Sequence, residues 1–171
     1  MKDPTLDPIR PWPPKTCCPR CKSSFMIKKN GSYRRHYVSV VEGAVVSTVI
    51  RIALVHCKSC SSSHALLPLT VIPRSPFSLI FIAHLITDKL DGRFASIALL
   101  CEHYGIAVNT YYRIYERFAS CVKIACGIMA GTTSMRDVAR ILLLPCNEAA
   151  GELLCSFFEN TNTSFCQPRA P

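Results

Sequence analysis

Four cysteines form the constellation in this chain best suited to metal chemistry: Cys18-Pro19-Arg20-Cys21 and Cys57-Lys58-Ser59-Cys60. Two residues between the cysteines of a pair let one tight turn aim both sulfurs at the same point. Two such pairs supply the four thiolates of a tetrahedral zinc site. With four sulfurs and no open position, one structural zinc ion (Zn2+) is expected rather than a catalytic one. The 35 residues between the pairs exceed the roughly 15 to 20 of a short ribbon, so a longer sheet must close the loop. A disulfide pair, free core thiols and a redox motif are the competing readings. Lone core thiols do not fall into matched knuckles, and no thioredoxin-like alternation of strands and helices surrounds these. Cys17 is a bystander, because using it would stretch the first knuckle to three intervening residues. His56 and His64 flank the second pair as alternative ligands, although a histidine near cysteines is more often a polar strand residue.

The segments that must position these cysteines are strand-like. Asn30-Gly31 separates residues 24–29 from 32–41 and is a strong hairpin signal, because both central residues of a type I′ turn need positive φ. A second turn is expected at Glu42-Gly43-Ala44. The strand over 45–56 then places Val46, Ile50, Ile52 and Leu54 on one face and Ser47 and Arg51 on the other. These runs predict a three-stranded antiparallel meander pinned at one end by metal. Residues 64–76, with Pro68, Pro73 and Pro76, read as a short strand and a linker. Residues 1–16 hold five prolines and read as an extended or disordered arm.

The second half has helical periodicity. Ser75-Pro76 fits a cap and first-turn proline for a helix over about 77–88, which is apolar almost all round and so belongs at the centre of a bundle. A helix with Ile97, Leu100 and Tyr104 inward meets Gly105, which can take a left-handed turn. Ile106 plugs the corner, Cys101 permits close approach, and a new helix starts near Val108. This is helix-turn-helix spacing, whose second helix would present its first turns to the major groove of DNA; an ordinary helical corner is the alternative. Tyr111, Tyr115, Phe118, Val122, Ala125 and Met129 continue a seam that would carry that helix to Gly131. The seam reads as core, with a homodimer interface as the other use. Ser134-x-x-Asp137 is a capping box for a helix running to Leu144 and stopped by Pro145. Asn147 can cap a last helix with Leu153, Leu154, Phe157 and Phe158 as its apolar stripe, and the stretch from Asn160 reads as frayed.

Charge is unevenly divided. Of the net +9, residues 1–76 carry 12 Lys and Arg against 3 Asp and Glu, whereas residues 77–171 carry 8 of each. The excess on the cysteine-bearing half points to an anionic partner, with double-stranded DNA first, against the plainer alternative of a solvated basic surface. Lys28, Lys29, Arg34 and Arg35 are the candidate phosphate contacts. Asn109, Thr110, Tyr112, Arg113 and Arg117 have types suited to base-edge and phosphate contacts. The start of the chain lacks an apolar signal region, so most of the other seven of the 11 cysteines are expected to be small core residues in a reducing cytoplasm. The apolar run at 40–55 is broken by Glu42 and Arg51 and the one at 77–87 is short, which predicts no membrane span.

With Cys18-Pro19-x-Cys21, Tyr33-x-Arg35, Cys57-x-x-Cys60, the run His64-Ala-Leu-Leu-Pro68 and the corner through Arg113, the chain resembles an uncharacterised bacterial family. That family, a domain of unknown function, has a transposase-type zinc ribbon followed by a helix-turn-helix, and the likeness spans about residues 17–119. Similar modules stand at the front of insertion-sequence transposases, so the resemblance implies DNA binding linked to mobile elements. Where such families read Leu-Pro-Asp and Pro-Tyr, this chain has Leu67-Pro68-Leu69 and Pro73-Arg74.

The expectation is therefore an α+β chain: an arm at 1–16, a zinc ribbon at 17–74, a helix-turn-helix domain at 75–131, a helical hairpin at 132–160 and a tail at 161–171. Its expected role is zinc-dependent DNA binding in the cytoplasm, at the nucleoid, as a mobile-element or regulatory protein. The alternative is a zinc-stabilised protein interaction module. No enzyme is expected, because a strand-transfer domain needs three carboxylates on a mixed sheet. After residue 120 only Asp137, Glu148, Glu152 and Glu159 are acidic, all in helix-patterned segments.

Overall fold

The computed structural model describes residues 18, 20–23, 27–128, 134–144, 148–161 and 163–167. The proline-rich arm, Cys17, Met129, Gly131, Pro145, Cys146 and Asn147 lie outside the described residues. Among the described residues, three strands precede five helices: β1 (Ile27–Val41), β2 (Ala44–Cys57), β3 (Ser63–Leu66), α1 (Leu79–Leu90), α2 (Ile97–Tyr104), α3 (Val108–Ile128), α4 (Met135–Leu143) and α5 (Glu148–Thr161). The α+β class and the three-stranded antiparallel sheet, in the order β1-β2-β3, are as expected.

The meander is composed differently from the sequence expectation. β1 runs without a break through Asn30-Gly31. Only Gly31 of that pair has positive φ, at 81°, so the two residues cannot make the I′ turn. The turn expected at Glu42-Gly43-Ala44 does form and closes the hairpin, with φ of 51° at Glu42 and 80° at Gly43, which satisfies the positive-φ requirement at both positions. Glu42 takes this conformation although it has a Cβ, a less common choice than Asn or Gly. The third strand is β3, which lies antiparallel to β2 with Ala53 opposite Leu66 and His56 opposite Ser63. Alternation in β2 buries Ile50 and Ile52 and exposes Arg51, but Val46, expected on the inner face, is exposed.

The chain divides into two compact units, one holding residues up to His36 with Val49–Pro68, the other Tyr37–Thr48 with Leu69 onward. In the first, the buried apolar side chains among the described residues are Cys18, Ile50, Ile52 and Cys57.

The second unit holds the larger core. α1 buries Leu79, Phe81, Ile82, Ala83, Leu85 and Ile86, as its nearly all-round apolar surface requires. Its cap is Ser78 rather than Ser75: the Ser78 hydroxyl accepts the Phe81 N–H at 2.9 Å and donates to Ser39 at 3.0 Å. Phe77 bridges to Val38, which keeps the backbone extended up to the cap and delays the helix. At the other end of α1, buried Asp88 accepts the Tyr104 hydroxyl at 2.8 Å and the Arg93 guanidinium at 3.3 Å, tying α1 to α2.

Gly105 ends α2 at φ 63°, and α3 begins three residues later. Leu100, Cys101 and Tyr104 point inward, and Tyr111, Phe118, Val122 and Ala125 of the seam are buried in the same core. α3 is described as far as Ile128. The Ser134–Asp137 capping box forms as expected, both of its hydrogen bonds being present. The stretch read as frayed does not fray at its start: α5 continues to Thr161, and Phe165 packs between Phe118 and Phe157 with ring centroids 5.7 and 4.9 Å away. Two aromatic partners in a wet-to-dry transfer outweigh the polar character of the neighbouring residues.

Candidate metal centre

The two cysteine pairs fold into the same local structure. The Cys18 N–H donates to the Ser23 carbonyl at 2.9 Å, and the Cys57 N–H donates to the Ser62 carbonyl at 2.8 Å. The fourth residue after each leading cysteine is left-handed, Lys22 at φ 61° and Ser61 at φ 55°. β2 delivers the second knuckle, since Cys57 is its last residue, and β3 leaves from it at Ser63.

These turns bring the Cys18, Cys21, Cys57 and Cys60 sulfurs within 4.8 Å of one another. The Cys18–Cys60 and Cys21–Cys57 sulfurs are each 3.6 Å apart. A tetrahedron of sulfurs about 2.3 Å from a central ion has edges of roughly 3.8 Å, so the four are set for one shared metal ion. Cys18 and Cys57 are fully buried and Cys21 is exposed.

The polar surroundings favour thiolates unevenly. The Cys21 backbone N–H lowers the Cys18 thiol against the cost of burial. The Ser62 hydroxyl, 2.6 Å from the Cys60 sulfur, is the main cause that brings that thiol down to about 6. At Cys21 the Ser23 backbone N–H pulls the same way, but burial and the Cys57, Cys60 and Cys18 sulfurs prevail and push the thiol up to about 12. A cation at the centre of the set would favour the thiolate form of all four.

The two histidines separate. His64 Nε2 lies 3.4 Å from the Cys18 sulfur, at hydrogen-bonding distance beside the cluster. His56 Nδ1 lies 3.3 Å from the Ser63 hydroxyl on the sheet. Of the remaining cysteines, Cys101 and Cys166 are buried, Cys121 and Cys126 half-buried and Cys155 exposed.

The sequence-selected basic residues fall in two places. Lys28, Lys29 and Arg34 are exposed along β1 and Arg35 is half-buried; they line a strand rather than crowd a turn, because the turn at Asn30-Gly31 does not exist. Arg34, His36, Val49, Ile50 and Arg51 line a shallow groove on this unit. On α3, Asn109, Tyr112 and Arg113 are exposed, whereas Thr110 and Arg117 are half-buried. Thr110, Arg113 and Arg117 line a cleft together with Arg74. Sequence reasoning missed Arg74, which stood between Pro73 and Pro76 as linker; it takes φ 60° in a turn that Pro73 opens and the Ser75 N–H closes onto the Ile72 carbonyl.

Residues 18–99 match the family model described as Domain of unknown function (DUF6431). The match begins on the first of the four clustered cysteines and ends inside α2, so it takes in all four and stops short of α3. No curated protein and no solved structure matches the chain. No single helix among the described residues is long and apolar enough to cross a membrane.

Proposed function

We propose that this chain is a zinc-stabilised DNA-binding protein, in which one zinc ion on Cys18, Cys21, Cys57 and Cys60 holds a basic sheet in shape. The observation that carries the reading is the charge of the metal-bearing unit. Its residues 18–36 and 49–68 contain Arg20, Lys22, Lys28, Lys29, Arg34, Arg35, Arg51 and Lys58 and not one Asp or Glu. A surface selected only for solubility mixes both signs, whereas one that meets phosphates gains from a single sign. Zinc fits the donor set, since four thiolates at this spacing are its usual structural shell. With four protein ligands the ion supplies shape and no open position for chemistry.

The α2–α3 corner then acts as a helix-turn-helix. Its left-handed Gly105 and short connection set the second helix against the first, and exposed Asn109 and Tyr112 stand in the first turns of α3, where base edges are read. A role as an accessory or regulator of a mobile element follows from the motif likeness given above and predicts a preferred duplex sequence.

The test is a binding titration of the zinc-loaded chain against selected and scrambled duplexes over a range of salt. Lys28→Ala with Lys29→Ala should weaken binding to both duplexes alike and flatten the salt dependence by about one unit of slope per lost contact. Asn109→Ala should cost about 1 to 3 kcal/mol on the preferred site and much less on scrambled DNA. Wild-type protein that binds no duplex, or binds without salt dependence, would overturn the reading and leave protein docking as the use of the zinc ribbon.

A further inference from the structure

A second concave feature lies wholly within the helical unit. The first turns of α3 and the segment 74–77 enclose an open cleft of about 200 Å³. Three of its lining residues are arginines, Arg74, Arg113 and Arg117, and none is acidic. Arg113 and Arg117 stand one helical turn apart, a like-charge pair that weakens a helix unless something neutralises it. Among the described residues the ion pairs are Arg93 with Asp88 and Arg136 with Asp91; these three guanidiniums have no such carboxylate.

A further observation points the same way. Arg74 takes φ 60° as the third residue of a turn that Pro73 opens and the Ser75 N–H closes onto the Ile72 carbonyl at 3.3 Å, and this turn fixes where its side chain leaves the backbone. The floor of the cleft is apolar, formed by Phe77, Ile82 and Ile114 beside the half-buried Thr110. Charges above such a floor act more strongly than on an open surface. Planar guanidiniums match tetrahedral oxyanions through paired N–H donors, which is the reason arginine rather than lysine lines phosphate sites.

We propose that this cleft is an oxyanion site that takes a phosphate group, held by Arg74, Arg113 and Arg117 with the Thr110 hydroxyl as a fourth donor. The site does not depend on the zinc ribbon's binding DNA. It also gives Arg113 a different task from the base reading that its place on α3 suggests: it grips phosphate in a fixed position beside Asn109 and Tyr112. The phosphate could belong to a free phosphorylated compound or to a nucleic-acid backbone, since both offer the same group.

The experiment is a calorimetric titration of the full zinc-loaded chain with inorganic phosphate at constant ionic strength, with chloride as control. Saturable binding is expected, weakened roughly tenfold or more in Arg74→Gln and in Arg113→Gln, and unchanged in Lys123→Gln, which alters an exposed cation on the same helix outside the cleft. Circular dichroism confirms that each variant is folded; Arg74 and Arg113 are both exposed, so neither change touches the core. A response that chloride reproduces, or that Arg74→Gln leaves intact, would overturn the proposal. Duplex binding by Arg74→Gln assigns the source: uniform weakening on every sequence supports a backbone phosphate, and unaltered duplex binding with lost phosphate binding supports a free phosphate compound. Failure of the wild type to bind duplex at all leaves the phosphate titration as an independent result, so the two readings fail separately.

Discussion

Stripping the metal should unfold the ribbon and spare the helices, and the size of the effect follows from how little else holds that unit together. Its buried aliphatic side chains among the described residues are Ile50 and Ile52, which contribute about 1.5 to 3 kcal/mol each. A structural zinc on cysteines contributes about 10 to 16 kcal/mol to folding at neutral pH, several times that sum. Cys57→Ser removes a fully buried ligand at the point where β2 hands over to the second knuckle, and a strong chelator should reproduce its effect on the wild type. The assay is metal content by emission spectroscopy together with amide hydrogen exchange. One zinc per chain is expected in the wild type and loss of it in Cys18→Ser/Cys57→Ser. Amides of residues 50–66 should then exchange rapidly while those of Leu79–Leu90 stay protected. A purified chain without bound metal whose 50–66 amides are nonetheless protected would refute the argument, as would full zinc retention in the double variant.

Two further outcomes are expected. His64→Ala should keep one metal per chain but lower its affinity about 10- to 100-fold, because the imidazole beside the Cys18 sulfur orients that ligand rather than replacing it; a chelator competition titration measures this, and loss of the metal altogether would make His64 a ligand. The helical unit should lose stability as pH rises from about 10 towards 12. Burial is the main cause that raises the Tyr111 phenol to about 12, and burial followed by the Asp88 hydrogen bond raises Tyr104 well above its ordinary value. In that window the folded chain holds protons that the unfolded chain has released, so stability is full below about pH 10 and declines above it. Urea melts of wild type and Tyr111→Phe across this range should show a shallower decline in the variant.

The cysteine cluster was legible because its signal is local: two residues between cysteines fix a turn wherever the rest of the chain goes. The helix boundaries were legible where a side chain closes its own cap, as at Ser134 and Asp137. They slipped where the deciding contact is remote. Ser75-Pro76 has the local form of a helix start, but the bridge from Phe77 to Val38 holds the chain extended for two more residues. Asn30-Gly31 has the local form of a hairpin, yet the strand runs through it, and of the two turns expected only the one at Glu42-Gly43 forms. The docked Phe165 was invisible for the same reason: its ring partner Phe118 belongs to α3, far from it in sequence.

The basic ribbon has two physical causes, and separating them decides what its charge says about function. A divalent ion on four thiolates would leave two negative charges for the protein to stabilise. Backbone N–H groups of Cys21, Ser23 and Ser62 do part of this by bonding the sulfurs directly. Arg20, Lys22 and Lys58 sit inside or next to the knuckles, where a positive charge favours the thiolate. Their presence would be expected in a zinc ribbon that binds nothing. Lys28, Lys29 and Arg34 are different: they are exposed on β1, beyond the knuckle turns in sequence, and the metal gives no reason for them. An exposed edge strand gains from lysine as protection against pairing with other chains, but that protection does not require carboxylates to be absent. The exclusion of every carboxylate from the ribbon's described strands outside the hairpin turn is what neither the metal nor edge protection requires. That residue of unexplained charge, rather than the net +9 of the whole chain, is the part of the composition that argues for phosphate as the partner.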